Sequence, residues 1–395
     1  MLRTLKSFDI RGQTILIRLD LNVPIYNEVI QDDFRIRSCL PTINYCLEEG
    51  AAVVLISHLG RPKGKFNKDL SLIPVGEHLA SLLEIPIKFS SDCISQDAID
   101  TSLSLKPGEV HLLENLRFYK EESDNDSFFS SKLSKHGRVY INDAFGTAHR
   151  AHASNHGVID NFKNYGIGFL FEKEMKYLGE VVNKPERPLL LILGGSKIST
   201  KLELINKYLS QADKIIIGGG MVFTFFKAMG YNIGKSLVET KMIDQARNIL
   251  DVARLNGNKV ILPSDVVCAE DINSTLRGDS ISIRDIPNNA MGLDIGSKTI
   301  EKYLLVLDRA KTVLWNGPMG VFENEVFSHG TKAVADKLVE IVNKESVVIA
   351  GGGDTASALR NFKLVDNVSH VSTGGGASLE LMSGNHLDAI NKLEI

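Results

Sequence analysis

The second half of the chain contains three uninterrupted glycine triplets, at residues 218–220, 351–353 and 374–376. The first two follow directly on short apolar runs, 214–217 and 346–350. An apolar run that leads into glycines and then into a helical segment is typical of a parallel strand whose loop binds phosphate. Glycine lets the backbone approach a ligand, and the next helix offers free N–H groups. A single turn of this kind is weak evidence, but its repetition predicts a nucleotide or polyphosphate site.

Strand-like and helix-like segments alternate along the whole chain. The strand-like runs are continuously apolar, which is typical of strands covered on both faces. The candidate strands are 14–19, 51–56, 110–113, 139–141, 189–193, 214–217, 259–262, 312–314 and 347–350. Helix-like stretches such as 242–254 and 331–342 lie between them. This alternation predicts an α/β fold with mainly parallel sheets.

The length of 395 residues favours two domains over a single core. The best boundary lies near residues 166–171, because a charged helical segment, 172–183, follows there. Pro185 and Pro188 then end this segment, since proline cannot continue a helix. We interpret the segment as a helix that connects two domains of similar size.

Charge and cysteine content exclude several classes of protein. The net charge of -3 gives no overall positive field that would attract nucleic acid or an anionic membrane. The four cysteines are sparse and form no C-x-x-C pair, which favours reduced thiols over a disulfide scaffold. Charges interrupt residues 1–9, and no uncharged apolar stretch approaches the roughly 18 residues of a membrane span. We therefore expect a cytoplasmic protein that binds neither nucleic acid nor a membrane.

Polar and basic residues follow four of the candidate strands in the first half of the chain. They are Asp20, Asn22, His58, Arg61, Arg117 and Arg150. The carboxyl ends of parallel strands meet at one edge of a sheet, so we expect these side chains to lie together. Several guanidinium groups at one edge favour a small, multiply charged anion, although a lone arginine after a strand is usually a solvated surface charge.

Three histidines, His149, His152 and His156, have a spacing that fits one face of a helix and could suggest a metal site. No adjacent Cys, Asp or Glu completes a closed ligand set, and Arg150 lies among them. We therefore interpret His149 as a further anion contact.

Two lysines follow the strand-like run 189–193 and its glycines, Gly194 and Gly195. Lys197 and Lys201 are four residues apart, which predicts that both lie on one face of the next helix and contact a polyphosphate. The alternative is a solvated helix face. The segment 230–236 resembles a P-loop but has three residues between its glycines where the P-loop requires four, so we reject it.

The segment 351–356 fits the dinucleotide-binding pattern G-x-G-x-x-A between a strand and a helix. That pattern also requires an acidic residue about 20 residues further on, and the next strand-like run, 369–373, carries none. Asp354 instead lies in the first turn of the helix, where a carboxylate suits a magnesium ligand. In a separate loop, Asn316 could donate to a phosphate and Glu323 could accept from ribose hydroxyls. These features favour a magnesium-nucleotide.

Two other functions remain possible on these features. One is an NAD-dependent oxidoreductase, which rests on the pattern at 351–356. The other is a non-catalytic nucleotide sensor that uses the same glycine loops. The arginine-rich strand ends argue against a sensor, because a sensor does not need a second anion site.

Taken together, the chain closely resembles the phosphoglycerate kinase family. The matching segments are 18–24, 57–62, 113–118, 143–150, 194–197, 218–221, 315–318, 351–355 and 372–376. They cover nearly the whole chain in the family's order. Val222 and Phe223 depart from the resemblance, since the first of these positions often holds a smaller residue in the family.

The resemblance implies two Rossmann-like domains with mainly parallel sheets, joined by a connecting helix. Residues 1–170 would form the phosphoglycerate-binding domain and 171–372 the nucleotide-binding domain, with the connecting helix at 172–185. Residues 373–395 would return to the first domain.

The implied activity is that of a glycolytic phosphotransferase with a carboxyl group as acceptor. It transfers a phosphoryl group reversibly from 1,3-bisphosphoglycerate to Mg-ADP by domain closure, giving 3-phosphoglycerate and ATP. The family also implies a monomer with small-molecule substrates.

The resemblance also implies a role for individual residues. The phosphoglycerate would be bound by Asp20, Leu21, Asn22, Arg35, His58, Leu59, Gly60, Arg61, Arg117 and Arg150. The nucleotide would be bound by Gly195, Lys201, Gly219, Gly292, Asn316, Glu323, Gly352, Gly353, Asp354 and Thr355, with Asp354 as the magnesium ligand. The catalytic residues would be Arg35, Lys197, Lys201 and Gly375, which surround the transferred phosphoryl group.

Overall fold

A computed structural model describes residues 1–257 and 259–394 of the chain. These residues form two compact units. Unit 1 comprises Met1–Lys176 and the C-terminal segment that begins at Asn385, and unit 2 comprises Tyr177–Gly384.

Unit 1 alternates strands with helices. Its strands are β1 (Thr14–Leu19), β2 (Ile25–Tyr26), β3 (Val29–Ile30), β4 (Ala52–Ile56), β5 (Ile87–Ser90), β6 (Val110–Leu113), β7 (Val139–Asp143) and β8 (Tyr165–Ile167). Its helices are α1 (Phe34–Glu48), α2 (Ile73–Leu83), α3 (Gln96–Leu103), α4 (Lys120–Ser123), α5 (Ser127–Leu133) and α6 (Phe169–Glu174).

Six of these strands form one parallel sheet in the order β5-β6-β4-β1-β7-β8. The central strands β1, β4 and β7 are almost entirely buried, which is typical of a parallel sheet covered on both faces, although β1 contains Arg18 and β7 ends in Asn142 and Asp143. Strand β1 pairs with β4 on one side and β7 on the other. The loops that follow these strands therefore open at the same edge of the sheet.

Unit 2 has the same kind of architecture. Its strands are β9 (Leu189–Leu193), β10 (Lys214–Ile217), β11 (Val260–Ile261), β12 (Asp265–Ala269), β13 (Ser280–Ser282), β14 (Met291–Ile295), β15 (Thr312–Asn316), β16 (Val347–Gly351) and β17 (His370–Val371). Its helices are α7 (Leu202–Gln211), α8 (Val222–Ala228), α9 (Ile243–Leu255), α10 (Ser297–Leu307), α11 (His329–Val342), α12 (Gly353–Asn361) and α13 (Gly376–Ser383).

The main sheet of unit 2 is parallel, in the order β11-β10-β9-β15-β16-β17. A separate three-stranded antiparallel sheet has the order β13-β12-β14. The predicted α/β fold with mainly parallel sheets is confirmed. The antiparallel sheet was not predicted from the sequence, because its strands carry polar residues such as Asp265 and Ser280 and do not form continuous apolar runs.

Between the units the chain runs through α6 and then a π-helical segment, Met175–Val181, within the segment that the sequence predicted to be helical. The units divide after Lys176 and after Gly384, whereas the expected domain limits lie after residues 170 and 372. Residues 373–384 lie with unit 2, where Lys207 Nζ donates to the carbonyl oxygen of Met382 at 2.6 Å. The domain limits given by the family resemblance stay a proposal.

The last helix, α14 (Asp388–Leu393), belongs to unit 1. The Ala389 N–H donates to the carbonyl oxygen of Ala148 at 3.0 Å, and Lys392 Nζ lies 2.5 Å from Asp160 Oδ1. Across the part of the chain that the structure describes, no helix combines the length and apolar character needed to cross a bilayer.

Candidate active site

The loops after β1 and β4 in unit 1 are joined by hydrogen bonds. Ser57 Oγ accepts from the Leu21 N–H at 2.9 Å and donates to the Leu19 carbonyl oxygen at 2.8 Å. Asn22 Oδ1 accepts from the Gly60 N–H at 2.9 Å. Two loops far apart in sequence therefore form one rigid surface at the carboxyl edge of the sheet.

The loop after β6 is attached to the same surface. Asn115 Nδ2 donates to the Leu59 carbonyl oxygen at 2.7 Å, and Arg117 Nη1 donates to the Gly60 carbonyl oxygen at 2.8 Å. These bonds use backbone groups as acceptors, so the position of the Arg117 guanidinium is set by the fold.

Asp20 lies between a guanidinium and an imidazole. Arg35 Nη1, from the first turn of α1, lies 3.1 Å from Asp20 Oδ1 and 3.2 Å from the Asn22 carbonyl oxygen. His58 Nε2 lies 3.8 Å from Asp20 Oδ1. The structure thus brings together Asp20, Asn22, Arg35 and His58, as the sequence predicted for three of them from their positions after strands.

The positive charges around this point change the pKa values of their neighbours. Burial, followed by the charges of Arg18, Arg117 and Arg35, lowers the pKa of His58 well below its usual value. Burial, together with the charges of Arg18 and Arg150, lowers the pKa of Arg117 to about 10. His58 is therefore neutral at pH 7, while Arg117 stays charged and contributes to a local field that attracts anions.

The two remaining predicted arginines differ in exposure. Arg61 is exposed, and Arg150 is half-buried. Arg150 Nε donates to His149 Nε2 at 3.0 Å. His149, His152 and His156 do not share a helix face, because the chain forms turns there. We refer to Asp20, Asn22, Arg35, His58, Arg117 and Arg150 as the anion cluster.

Unit 2 contains a cavity of about 620 Å³. Five of the predicted nucleotide-binding residues line this glycine-lined cavity: Gly195, Gly219, Gly292, Glu323 and Asp354. Much of its remaining wall is apolar and comes from Val222, Phe223, Leu237, Met291, Leu293 and Val321. An apolar pocket with a few polar groups at its rim suits an aromatic base attached to a charged chain.

Gly292, in β14, lies against the ring of Phe223. A Cβ at this position would lie 2.1 Å from Phe223 Cζ, a distance that real Cβ contacts do not reach. The Gly292 N–H donates to Ser236 Oγ at 2.9 Å, which fixes the backbone. Glycine here therefore lets a bulky aromatic side chain form the cavity wall.

Asp354 lies at the exposed first turn of α12, whose N-cap residue is Gly352. Gly352 has φ +91°, and a Cβ there would lie 3.0 Å from Asn316 Nδ2. That Nδ2 is buried and has no hydrogen-bond partner among the described residues. Thr355 is already engaged, because its Oγ1 accepts from the Gly317 N–H at 2.7 Å. A helix N-terminus, a carboxylate and an unsatisfied amide donor thus lie close together.

The two predicted lysines do not share a helix face, and this prediction was wrong. Lys197 is exposed in a loop, whereas Lys201 ends the 3-10 turn Ser199–Lys201 that precedes α7. Gly194 and Gly195 form the turn after β9, where their N–H groups donate to the Asn316 and Pro318 carbonyl oxygens, and α7 begins only at Leu202. Burial lowers the pKa of Lys201 to about 8, against the attraction of Asp354. Gly375, another predicted residue, directly precedes α13.

Comparison with known proteins identifies the family. A sequence profile of the phosphoglycerate kinase family matches residues 5–385. The phosphoglycerate kinase of Chlorobium chlorochromatii is 47% identical over 392 residues, which cover 99% of each chain. That of Borrelia garinii subsp. bavariensis is 48% identical over 394 residues, which cover 100% of this chain and 99% of the relative. The chain belongs to the phosphoglycerate kinase family.

Solved structures of the phosphoglycerate kinase family agree. The phosphoglycerate kinase of Coxiella burnetii has a TM-score of 0.87 at 37% identity, covering 100% of this chain and 99% of that one. The protein from Pyrococcus horikoshii also has a TM-score of 0.87, at 30% identity, covering 100% and 98%. Phosphoglycerate kinases are phosphotransferases that act in glycolysis. Membership of this family supports the kinase over the oxidoreductase and the nucleotide sensor that the sequence left as alternatives.

The residues around Asp354 fit the magnesium-nucleotide that kinases use. Within residues 1–257 and 259–394, no three His, Cys, Asp or Glu side chains are grouped as a metal site. Mg²⁺ is usually held by one or two carboxylates together with the phosphates of the nucleotide, and the single exposed Asp354 beside a helix N-terminus is compatible with such a site.

Sequence reasoning assigned no role to the residues beneath the anion cluster or to the apolar wall of the cavity. Arg18, Glu122 and Ser154 are buried under the cluster. A charged residue inside the apolar strand β1 was the available signal for Arg18. The cavity wall had no comparable signal, because its residues come from separate segments of the chain.

Proposed function

We propose that the anion cluster of unit 1 binds the phosphoglycerate and that the glycine-lined cavity of unit 2 binds Mg-ADP or Mg-ATP. The observation that carries the proposal is the convergence of Arg35, His58 and Arg117 around Asp20 and the loop at Gly60. Structural roles alone would not require several guanidinium groups at one sheet edge, because neighbouring like charges repel.

In this proposal the guanidinium groups bind the phosphate and carboxylate of the three-carbon acid. Arg61, Arg117 and Arg150 neutralise its charge, while Asp20 and Asn22 contact its polar groups. The backbone at Leu21, Leu59 and Gly60 shapes the surface. Forked guanidinium donors suit such oxyanions, because each can donate two parallel hydrogen bonds.

The nucleotide base would contact the apolar wall of the cavity beside Gly292, and Glu323 would accept from the ribose. The phosphates would extend towards the N-terminus of α12, where Gly352, Gly353 and Thr355 lie. Gly195, Gly219 and Asn316 would border the phosphate chain, and Lys201 would neutralise it. This arrangement uses a helix N-terminus in the way that many phosphate sites do.

Phosphoryl transfer requires little covalent chemistry from the protein, and its barrier falls when reactants are aligned and charge is neutralised. The donor is an acyl phosphate and the acceptor is a nucleotide oxygen, so no general base is required. Arg35, Lys197, Lys201 and the backbone N–H at Gly375 would stabilise the charge on the transferred group. Because each unit binds one substrate, we propose that closure of the two units brings the substrates together and excludes water.

Asp354 would hold magnesium at the first turn of α12. The ion, when bound, neutralises charge on the nucleotide phosphates. Lys201 lies near the same carboxylate, so the residue that positions the metal also interacts with a phosphate-binding cation. We further propose a cytoplasmic monomer, in keeping with the family and with the four cysteines, all of which are buried thiols.

Binding measurements test this assignment directly. Calorimetric titrations should detect binding of 3-phosphoglycerate and of Mg-ADP, but not of NADH. Arg117→Ala should weaken the binding of 3-phosphoglycerate and leave the binding of Mg-ADP unchanged. Arg138→Ala removes an exposed arginine of the same unit and should change neither affinity. Tight binding of NADH would contradict the assignment, and so would an affinity for 3-phosphoglycerate that Arg117→Ala does not change.

A further inference from the structure

Arg18 is a fully buried arginine in β1, beneath the anion cluster. Its Nε donates to Ser154 Oγ at 2.8 Å, and its Nη1 donates to the Leu19 carbonyl oxygen. Its Nη2 lies 3.1 Å from His58 Nδ1. The guanidinium is therefore held on three sides and has one fixed orientation.

A buried carboxylate balances this charge. Glu122 accepts from the Ser154 N–H at 2.9 Å and from Ser154 Oγ at 2.7 Å. Burial alone would raise the pKa of Glu122, but His152, Arg18 and Ser154 together lower it, so the group is ionised. The Ser154 hydroxyl has one proton, which goes to Glu122, and its lone pair accepts from Arg18.

The contact between Arg18 and His58 determines where the histidine carries its proton. A guanidinium can only donate, so His58 Nδ1 must be the acceptor and cannot carry hydrogen. The proton of the neutral ring therefore lies on Nε2. That atom is 3.8 Å from Asp20 Oδ1, which is beyond hydrogen-bond distance.

We propose that Arg18, anchored through Ser154 to Glu122, is a positioning residue that holds His58 as the neutral Nε2–H tautomer. The ring then presents one N–H donor to an anionic oxygen of the phosphoglycerate. This inference rests on the proposed function of the anion cluster. It adds a residue that does not touch the substrate but decides which atom of His58 can donate to it.

The other forms of His58 do not fit this environment. The Nδ1–H tautomer would set two donors against each other at the Arg18 contact. The imidazolium would do the same and would add a charge beside Arg18, Arg35 and Arg117, with His152 also near and Asp20 as the facing carboxylate. A neutral donor avoids that repulsion and still offers a hydrogen bond to the substrate.

Nitrogen-15 NMR of the full-length protein tests the first half of the proposal without substrate or turnover. The His58 signals, assigned by comparison with His58→Gln, should report an unprotonated Nδ1 and a protonated Nε2 at pH 7. A protonated Nδ1 would overturn the proposal. This result does not depend on whether the protein has kinase activity.

The double variant Arg18→Met/Glu122→Gln tests the second half, because it removes both buried charges together and leaves neither unpaired. We expect His58 to lose its single tautomer and the KM for 3-phosphoglycerate to rise about tenfold to 100-fold, the effect of one charge-assisted hydrogen bond. The KM for Mg-ATP should not change. A retained Nε2–H tautomer, or an unchanged KM for 3-phosphoglycerate once the tautomer is lost, would overturn the role of Arg18.

Two further variants separate this effect from general loss of stability. Ser154→Ala breaks the link between Arg18 and Glu122 with a smaller change of volume. It should also lower the fraction of His58 in the Nε2–H form. His111→Gln alters a buried histidine elsewhere in unit 1, which is hydrogen-bonded to Ser102 at 2.8 Å. It should reduce stability without changing the His58 signals or the KM for 3-phosphoglycerate. If His111→Gln changed the His58 signals and this KM as much as the Arg18 variant does, the proposal would be contradicted.

Discussion

Arg35 is held by Asp20: its Nη1 lies 3.1 Å from each of the two carboxylate oxygens. Arg35 is partly exposed, with 30% of its side-chain surface accessible, whereas Asp20 is buried. The carboxylate therefore orients the guanidinium at the carboxyl edge of the sheet. This pairing holds a long, flexible side chain in one orientation, which is what the proposed catalytic role of Arg35 requires.

Arg35→Ala should leave Mg-ADP binding intact and reduce kcat about 100-fold to 1,000-fold, the usual effect of removing one preorganised electrostatic group. Calorimetry and a coupled assay measure the two quantities. Arg37→Ala is the matched control, because Arg37 lies in the same helix but is exposed and pairs with Asp33. A near-normal kcat for Arg35→Ala would remove it from the catalytic residues.

Asp354→Asn should raise the dissociation constant of Mg-ADP about tenfold or more, which corresponds to about 1.4 kcal/mol. The binding of 3-phosphoglycerate should not change, because Asp354 belongs to the cavity in unit 2. Calorimetric titrations with and without magnesium separate the metal effect from loss of nucleotide contacts. Asp366→Asn, at another exposed acid of unit 2, serves as the control. Equal weakening of both substrates would count against the magnesium role.

Gly292→Ala should weaken nucleotide binding, because the new Cβ must displace the Phe223 ring from a position 2.1 Å away. The ring would then narrow the cavity, and we expect the KM for ADP to rise about tenfold while the KM for phosphoglycerate stays constant. The double variant Gly292→Ala/Phe223→Leu restores space and should recover much of the affinity. If it does not, the steric explanation is wrong.

Lys201 should give the reaction an alkaline limit. Burial lowers its pKa to about 8, so the amine loses its charge as the pH rises through that value and no longer attracts nucleotide phosphates. The profile of kcat/KM for ADP reports the ionisation of the free protein and should decline above pH 8. Lys201→Arg keeps its charge at high pH, so kcat/KM for ADP should decline only at a higher pH in this variant. If kcat/KM declined at the same pH in that variant, another group would be responsible for the alkaline decline.

Local sequence patterns were sufficient to predict the parallel sheets and the loops that follow β1, β4 and β6. A strand that is buried on both faces is mostly apolar, so polar residues that follow it are easily recognised in the sequence. Asp20, Asn22, His58 and Arg117 were predicted in this way, and the structure brings them together. Their roles in binding stay predictions.

Features that depend on long-range packing could not be predicted in this way. Arg18 and Ser154 are 136 positions apart, and nothing in either segment indicates the other. The cavity wall joins Phe223, Leu237 and Met291, which are ordinary apolar residues in sequence. Lys197 and Lys201 were placed on one helix because their spacing fits a helical period, but α7 begins only at Leu202, after both lysines.

The most direct measurement is ATP formation from 1,3-bisphosphoglycerate and Mg-ADP by the purified protein, followed with a coupled assay. The account predicts ATP formation that requires both substrates and magnesium. It also predicts that Arg35→Ala and Asp354→Asn each reduce this rate strongly, while Arg37→Ala and Asp366→Asn do not. Absence of ATP formation, or a rate that neither active-site variant changes, would contradict the assignment of one substrate to each unit.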